Sequence, residues 1–224
     1  MIICCFGNSL TAGYPGYNPP IDGVSRGYGN FHSQYEYWLK HYCIEYIEEK
    51  TGTHATELAK NLIFINKGIP GDTSKGLLHR IERDMVNLEP KPRYSIIIIG
   101  TNDLGWGLSN DKIFWNIKKL HQISRENGVY SIGGLIPPVT KRGSTPHWTL
   151  IRSDFNDKLV TFFTEMDIPF TTYNYMVDEE GYLKQDYTSG DGVHFSVAGY
   201  ERMGYSLFQD VLKRMLDERI LGDK

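Results

Sequence analysis

Tyr94-Ser95-Ile96-Ile97-Ile98-Ile99-Gly100-Thr101-Asn102-Asp103 is the stretch on which the fold turns. Four consecutive isoleucines without polar alternation suit a strand buried on both faces, as in a parallel sheet, and the Gly-Thr-Asn-Asp that follows is turn chemistry. Four more short apolar runs resemble it: Ile2–Phe6, Leu62–Asn66, Val129–Ile136 and Ile168–Thr172. Between them lie stretches with helical periodicity, at about Gly29–Lys50, Ser74–Val86, Asn110–Asn127 and Arg152–Glu165, and a last one, Val197–Leu221, closes the chain. Leu77, Leu78, Ile81 and Met85 mark one apolar face of the second of these. Ser74 and Ser153 stand where helix N-caps are expected. Strand and helix in alternation predict βαβ units, hence an α/β fold with a parallel sheet covered on both sides. Tyr14–Tyr28 and Pro137–Pro146 are rich in Gly and Pro and are expected as loops. No repeat, linker or low-complexity segment interrupts the chain, so residues 1–224 are expected to form one domain.

Ligands of such sheets bind beyond the carboxyl ends of the strands. Each apolar run is followed there by polar or turn-forming residues. Gly7-Asn8-Ser9-Leu10 follows the first, Asn66 to Thr73 the second, Gly100-Thr101-Asn102-Asp103 the third and Pro137-Pro138 the fourth. Asp191-Gly192-Val193-His194 lies in the long loop after the fifth. Read alone, Ser9 is a helix N-cap, Asp191-x-x-His194 a surface turn, and Gly71 and Asn102 turn residues. Read together, they place a hydroxyl, an imidazole, a carboxylate and several donors on one edge.

That set matches the needs of acyl transfer, which requires a nucleophile, a base and donors for an oxyanion. Ser9 is the candidate nucleophile, and Gly7 is expected to give its turn conformational freedom. His194 is the candidate base, with Asp191 close enough in sequence to curl back onto its Nδ1 and fix the tautomer. The Ser9 and Gly71 N–H groups and the Asn102 amide are the candidate oxyanion donors. Tyr14, Tyr17, Trp106 and Trp148 fall in or near the cleft loops and are candidate substrate contacts, against plain loop packing.

Four blocks in order, spread over nearly the whole chain, resemble the SGNH hydrolases, also called the GDSL esterase/lipase family. Gly7-Asn8-Ser9-Leu10 resembles the nucleophile block. Gly71 in Gly71-Asp72-Thr73 resembles the second block's oxyanion glycine. Gly100-Thr101-Asn102-Asp103 resembles the third block, and Asp191-Gly192-Val193-His194 the block supplying acid and base. The resemblance implies a three-layer α/β/α sandwich with a five-stranded parallel sheet, flavodoxin-like in layout. It also implies hydrolysis of carboxylic or thioesters without a cofactor. One residue departs: the family usually carries Asp before the serine, and here Asn8 stands there.

Composition narrows the partners. The chain has 224 residues, a formal net charge of -3 and no basic stripe, which argues against nucleic acid. No run approaches the roughly 20 apolar residues of a membrane span, and no secretory signal pattern follows Met1; a cytoplasmic location is expected. Cys4, Cys5 and Cys43 lack paired metal-ligand spacing and are expected as core residues, with no metal and no disulfide framework. The expected substrate is a small acyl ester, with short-chain or acetyl esters favoured. An acyltransferase, thioesterase or lysophospholipase would use the same residues. A cofactor-binding module of flavodoxin type is the rival of another class, though no GxGxxG or Walker pattern is present. The aromatic-rich Gly29–Lys50 stretch is expected to be buried in the domain's own core; the oligomeric state is not legible.

Overall fold

A computed structural model describes residues 1–18 and 27–222. The sheet strands are β1 (Ile2–Gly7), β4 (Ile63–Gly68), β5 (Tyr94–Ile98), β6 (Tyr130–Gly134) and β7 (Phe170–Thr171), and all neighbouring pairs are parallel. Their order is β4-β1-β5-β6-β7. Counted within this sheet alone, that is the 2-1-3-4-5 order of doubly wound flavodoxin-like folds. A separate two-residue antiparallel ladder joins β2 (Tyr17–Asn18) to β3 (Tyr28–Gly29), inside the stretch expected as a loop. Residues 19–26 of that stretch lie outside the described residues.

Two apolar layers sandwich the sheet, because alternate side chains of each buried strand face opposite sides. On one face Ile3, Cys5, Ile96 and Ile98 pack with Tyr35, Leu39 and Cys43 of α2 (Tyr35–Thr51) and with Tyr200, Met203 and Leu207 of α8 (Val197–Leu207). On the other, Cys4, Phe6, Ile97 and Ile99 pack with α4 (Ser74–Ile81), α6 (Asn110–Glu126) and α7 (Pro146–Glu165). The three cysteines are buried free thiols. The expected α/β/α sandwich with five parallel strands is the observed one. No helix among the described residues is long and apolar enough to cross a membrane.

Two expected caps are corrected. Thr73, not Ser74, caps α4, its hydroxyl accepting from the Gly76 N–H at 3.2 Å. Ser74 is the first helical residue and spends its hydroxyl on Asp103. Ser153 lies inside α7, which begins earlier than expected: Thr145 caps it and Pro146 opens it. Proline suits a first helical position because its missing N–H has no intrahelical partner there. The final helix is interrupted by a π turn at Phe208–Leu212 before α9 (Lys213–Gly222). Two short helices, α1 (Ser9–Ala12) and α5 (Thr101–Gly105), sit directly on the carboxyl edge of the sheet.

Candidate active site

β1 delivers the chain to the sheet edge, and α1 begins at once. Asn8 caps α1 by accepting from the Leu10 N–H at 3.0 Å. Gly7 has a role other than the one expected. Its backbone is not left-handed, but a Cβ there would meet Thr11 Oγ1 at 2.1 Å and the Ile98 carbonyl at 2.5 Å. Gly7 thus lets α1 close down onto β1 and β5, which sets where Ser9 stands.

Ser9 is 5% exposed. Its hydroxyl lies 3.0 Å from His194 Nε2, and His194 Nδ1 lies 2.6 Å from Asp191 Oδ2. The other oxygen, Asp191 Oδ1, accepts from the Val193 and His194 N–H groups at 2.9 and 2.8 Å. Partial burial pushes the Asp191 carboxyl up, but the His194 side chain and the two backbone N–H bonds outweigh it and hold it below the usual range. A charged Asp191 favours the proton on Nδ1, leaving Nε2 free to accept from Ser9. The loop is pinned by Ser189 N–H on the His194 carbonyl at 2.8 Å and by Thr140 N–H on the Gly192 carbonyl at 2.9 Å. So the Pro137–Pro146 segment, expected as a loop, buttresses the loop that carries His194.

The Tyr14 ring meets the His194 ring edge-on, with centroids 4.7 Å apart. Its N–H bonds the Ser9 carbonyl at 3.0 Å and its carbonyl accepts from the Tyr200 hydroxyl at 2.5 Å. Tyr14 therefore stands beside the His194 ring and is tied to the Ser9 backbone. Trp106 is 63% exposed, whereas Trp148 is half-buried against the core beneath α5. Tyr17 is buried and pairs with the Phe31 ring at 5.4 Å.

Gly71 has φ +79°, and a Cβ there would touch nothing within 4 Å. Glycine is favoured at this turn by its left-handed backbone rather than by crowding. Among the described residues, neither the Ser9 nor the Gly71 N–H has an acceptor. Asn102 Nδ2 gives one hydrogen to the Asp72 carbonyl at 2.8 Å, which leaves its second for a ligand. Asp103 is buried, its two carboxylate oxygens accepting from the Ser74 N–H and hydroxyl at 2.6 to 3.1 Å. Among the described residues, no group of three or more His, Cys, Asp and Glu is gathered to hold a metal ion.

The profile of the GDSL-like lipase/acylhydrolase family matches residues 5–202. The chain belongs to this family. Solved structures with the same fold include a lipolytic protein of the G-D-S-L family from Desulfitobacterium hafniense, with TM-score 0.70, 19% identity and coverage of 94% of this chain and 99% of that one. The lipase/acylhydrolase of Enterococcus faecalis matches with TM-score 0.66, 20% identity and coverage of 95% and 96%. The psychrotrophic esterase EstA of a Pseudoalteromonas species, seen inhibited by monoethylphosphonate, matches with TM-score 0.65, 20% identity and coverage of 96% and 98%. Among curated proteins, an N-acylneuraminate cytidylyltransferase of Streptococcus agalactiae is 30% identical over 131 residues, 54% of this chain. The match spans only 29% of that relative's length.

Asn8 takes the place of the family's aspartate and keeps its capping oxygen. Asn8→Asp conserves the cap and adds a charge at a position 1% exposed. The variant is expected to fold and to keep at least part of the ester turnover. A folded Asn8→Asp protein without any turnover would overturn the view that position 8 is secondary.

Several residues at the site were not singled out from sequence. Arg80, Asp72, Asp103 and Glu36 act across the fold, so no local spacing reveals them. Glu36 of α2 is buried; Asn66, which also donates to the Thr11 carbonyl of α1, donates to its Oε1, while Oε2 has no side-chain or backbone partner among the described residues. Burial pushes its carboxyl up to about 8, the hydrogen bonds from its own backbone and Asn66 opposing this. The folded chain thus keeps a proton that the unfolded chain releases near 4.5, so stability falls as pH rises from about 4.5 to 8. The slope approaches about 1.4 kcal/mol per pH unit. Glu36→Gln is expected to match wild type at pH below that window and to melt several degrees higher above it. Parallel melting curves across that window would contradict the assignment.

Proposed function

We propose that this acylhydrolase is a serine esterase working through an acyl-enzyme on Ser9. The observation that carries the reading is the unbroken chain from the Ser9 hydroxyl through His194 to Asp191, at 3.0 and 2.6 Å. Ser9 attacks the ester carbonyl while His194 Nε2 takes its proton. Asp191 stabilises the imidazolium that forms, and the oxyanion is held by the Ser9 and Gly71 N–H groups and the free Asn102 hydrogen. His194 then protonates the leaving alcohol. Water, activated by the same imidazole, releases the acid and frees Ser9. The phosphonate inhibition of the Pseudoalteromonas esterase suits a nucleophile of this kind. One sheet with an apolar core on each face supports reading the chain as one domain.

We read the substrate as a short acyl ester of a small alcohol or sugar. The Tyr14 ring packs edge-on against His194 and narrows the space beside it, which favours a short acyl group. The S. agalactiae relative is named for an N-acylneuraminate, an acidic sugar, and this similarity favours an acetylated sugar of that class. The test is hydrolysis of p-nitrophenyl acetate, butyrate and octanoate, beside O-acetylated N-acylneuraminate and O-acetylated glucose. Preference for acetyl esters, strongest on the acidic sugar, is expected. Octanoate turned over best would replace this substrate class with a lipid one.

A further inference from the structure

We propose that Arg80 is the positioning residue of the oxyanion site, setting all three donors at once through a single guanidinium. This rests on the reading of Ser9, Gly71 and Asn102 as oxyanion donors.

Arg80 projects from α4 into the protein, with its side chain only 8% exposed. Its Nε donates to Asp72 Oδ2 at 2.7 Å, and its two terminal nitrogens reach three further acceptors. One donates to the Lys67 carbonyl at 2.9 Å and to Asp84 Oδ2 at 3.0 Å; the other donates to the Gly7 carbonyl at 3.0 Å. The guanidinium also lies 4.5 Å from the Phe6 ring centroid. A planar fork with five N–H donors is suited to such a junction, and an ammonium is not.

Two of these acceptors, the Gly7 carbonyl and the Asp72 carboxylate, lead to the three donors. Gly7 lies two residues before Ser9, so the bond to its carbonyl holds the strand end from which the Ser9 N–H is presented. Asp72 immediately follows Gly71, and its other oxygen accepts from the Thr73 N–H at 2.8 Å, which fixes the turn around the Gly71 N–H. The Asp72 carbonyl is the acceptor that orients Asn102. The Lys67 and Gly7 carbonyls close the β4 and β1 ends, and the Gly7 carbonyl also takes the Ile69 N–H at 3.1 Å. Among the described residues Arg80 makes no hydrogen bond to Ser9, His194 or Asp191, so it acts on the donors and not on the hydroxyl–imidazole–carboxylate chain. Asp84 has a second partner in Arg83, at 2.7 and 2.8 Å, and therefore does not depend on Arg80 alone.

The test is a double-mutant cycle on turnover of p-nitrophenyl acetate, with Arg80→Lys, Asn102→Ala and the double variant. Lysine keeps the charge beside Asp72 and Asp84 but cannot reach every acceptor. Asn102→Ala is expected to lower kcat by about 10²–10³, as loss of one oxyanion donor does. Arg80→Lys is expected to lower kcat about 10–100-fold with KM changed less than twofold and an unaltered pH profile, since removing an interaction made in the transition state acts on kcat. In the double variant the two losses are expected to overlap, leaving it well above the product of the single effects, because coupled residues do not add. Losses that multiply fully, a loss confined to KM, or activity within twofold of wild type would overturn the role of Arg80. If Arg80→Lys does not fold, Asp72→Asn takes its place in the same cycle, with the same expected and contrary results. Ser9→Ala, run beside it, separates the two claims: an active Ser9→Ala protein overturns the esterase mechanism itself, whereas an inactive one with a fully active Arg80→Lys overturns only this inference.

Discussion

Ser9→Ala is expected to lower kcat on p-nitrophenyl acetate by about 10⁶, the scale on which a triad acting as a unit fails when its nucleophile goes. Removing the Ser9 oxygen deletes the proposed attacking atom and leaves His194 Nε2 without its 3.0 Å partner. The backbone is expected to stay as it is. α1 is held by the Asn8 cap, by Gly7 against Thr11 and by the Tyr14 N–H on the Ser9 carbonyl, none of which uses the Ser9 side chain. The melting temperature should therefore move little while turnover collapses. A loss smaller than tenfold would sink the covalent mechanism.

Asp191→Asn is expected to cost about 10⁴ in kcat, because it reverses the tautomer of the base. The amide oxygen can replace Asp191 Oδ1 and keep the Val193 and His194 N–H bonds, so the loop geometry should survive. The amide nitrogen then faces His194 Nδ1, where the carboxylate now sits at 2.6 Å. Two donors cannot share that contact. The imidazole must carry its proton on Nε2, and a protonated Nε2 cannot accept from Ser9. Wild-type Asp191 lies below the ordinary carboxylate range, so it stays charged as pH falls to about that range and below. An acid limb seen at higher pH therefore does not come from Asp191. Steady-state rates of wild type and Asp191→Asn against pH check both points; activity within tenfold of wild type would contradict the tautomer argument.

The layers of the fold were legible because buried parallel strands carry an unmistakable pattern. Tyr94–Ile98 and Ile2–Gly7 stand within a residue or so of where their apolar runs predict them. The site was legible for a related reason: strands that run the same way bring the residues after them to one edge, so Ser9 and His194 meet across 185 positions. Strand order was not legible, since a crossover helix does not state which side of β1 the next strand joins. Helix starts were missed where two hydroxyls compete, as at Thr73 and Ser74, or where proline looked like a loop residue, as at Pro146. The expectation for Gly7 had the right residue and the wrong reason, because packing against Thr11 is a tertiary fact. Arg80 was hidden most completely. It sits beside the apolar face of α4 at Leu77 and Ile81, and a sequence offers no sign that a charged residue there turns inward to a carbonyl 73 positions away.

The most direct test of the central claim is peptide mass spectrometry of the enzyme acid-quenched during turnover of p-nitrophenyl acetate. One acetyl group on the peptide carrying Ser9, absent from Ser9→Ala, is the result the account predicts. Acetyl found on another residue, or turnover by wild type with no acetyl on Ser9 even after rapid quenching, would contradict it.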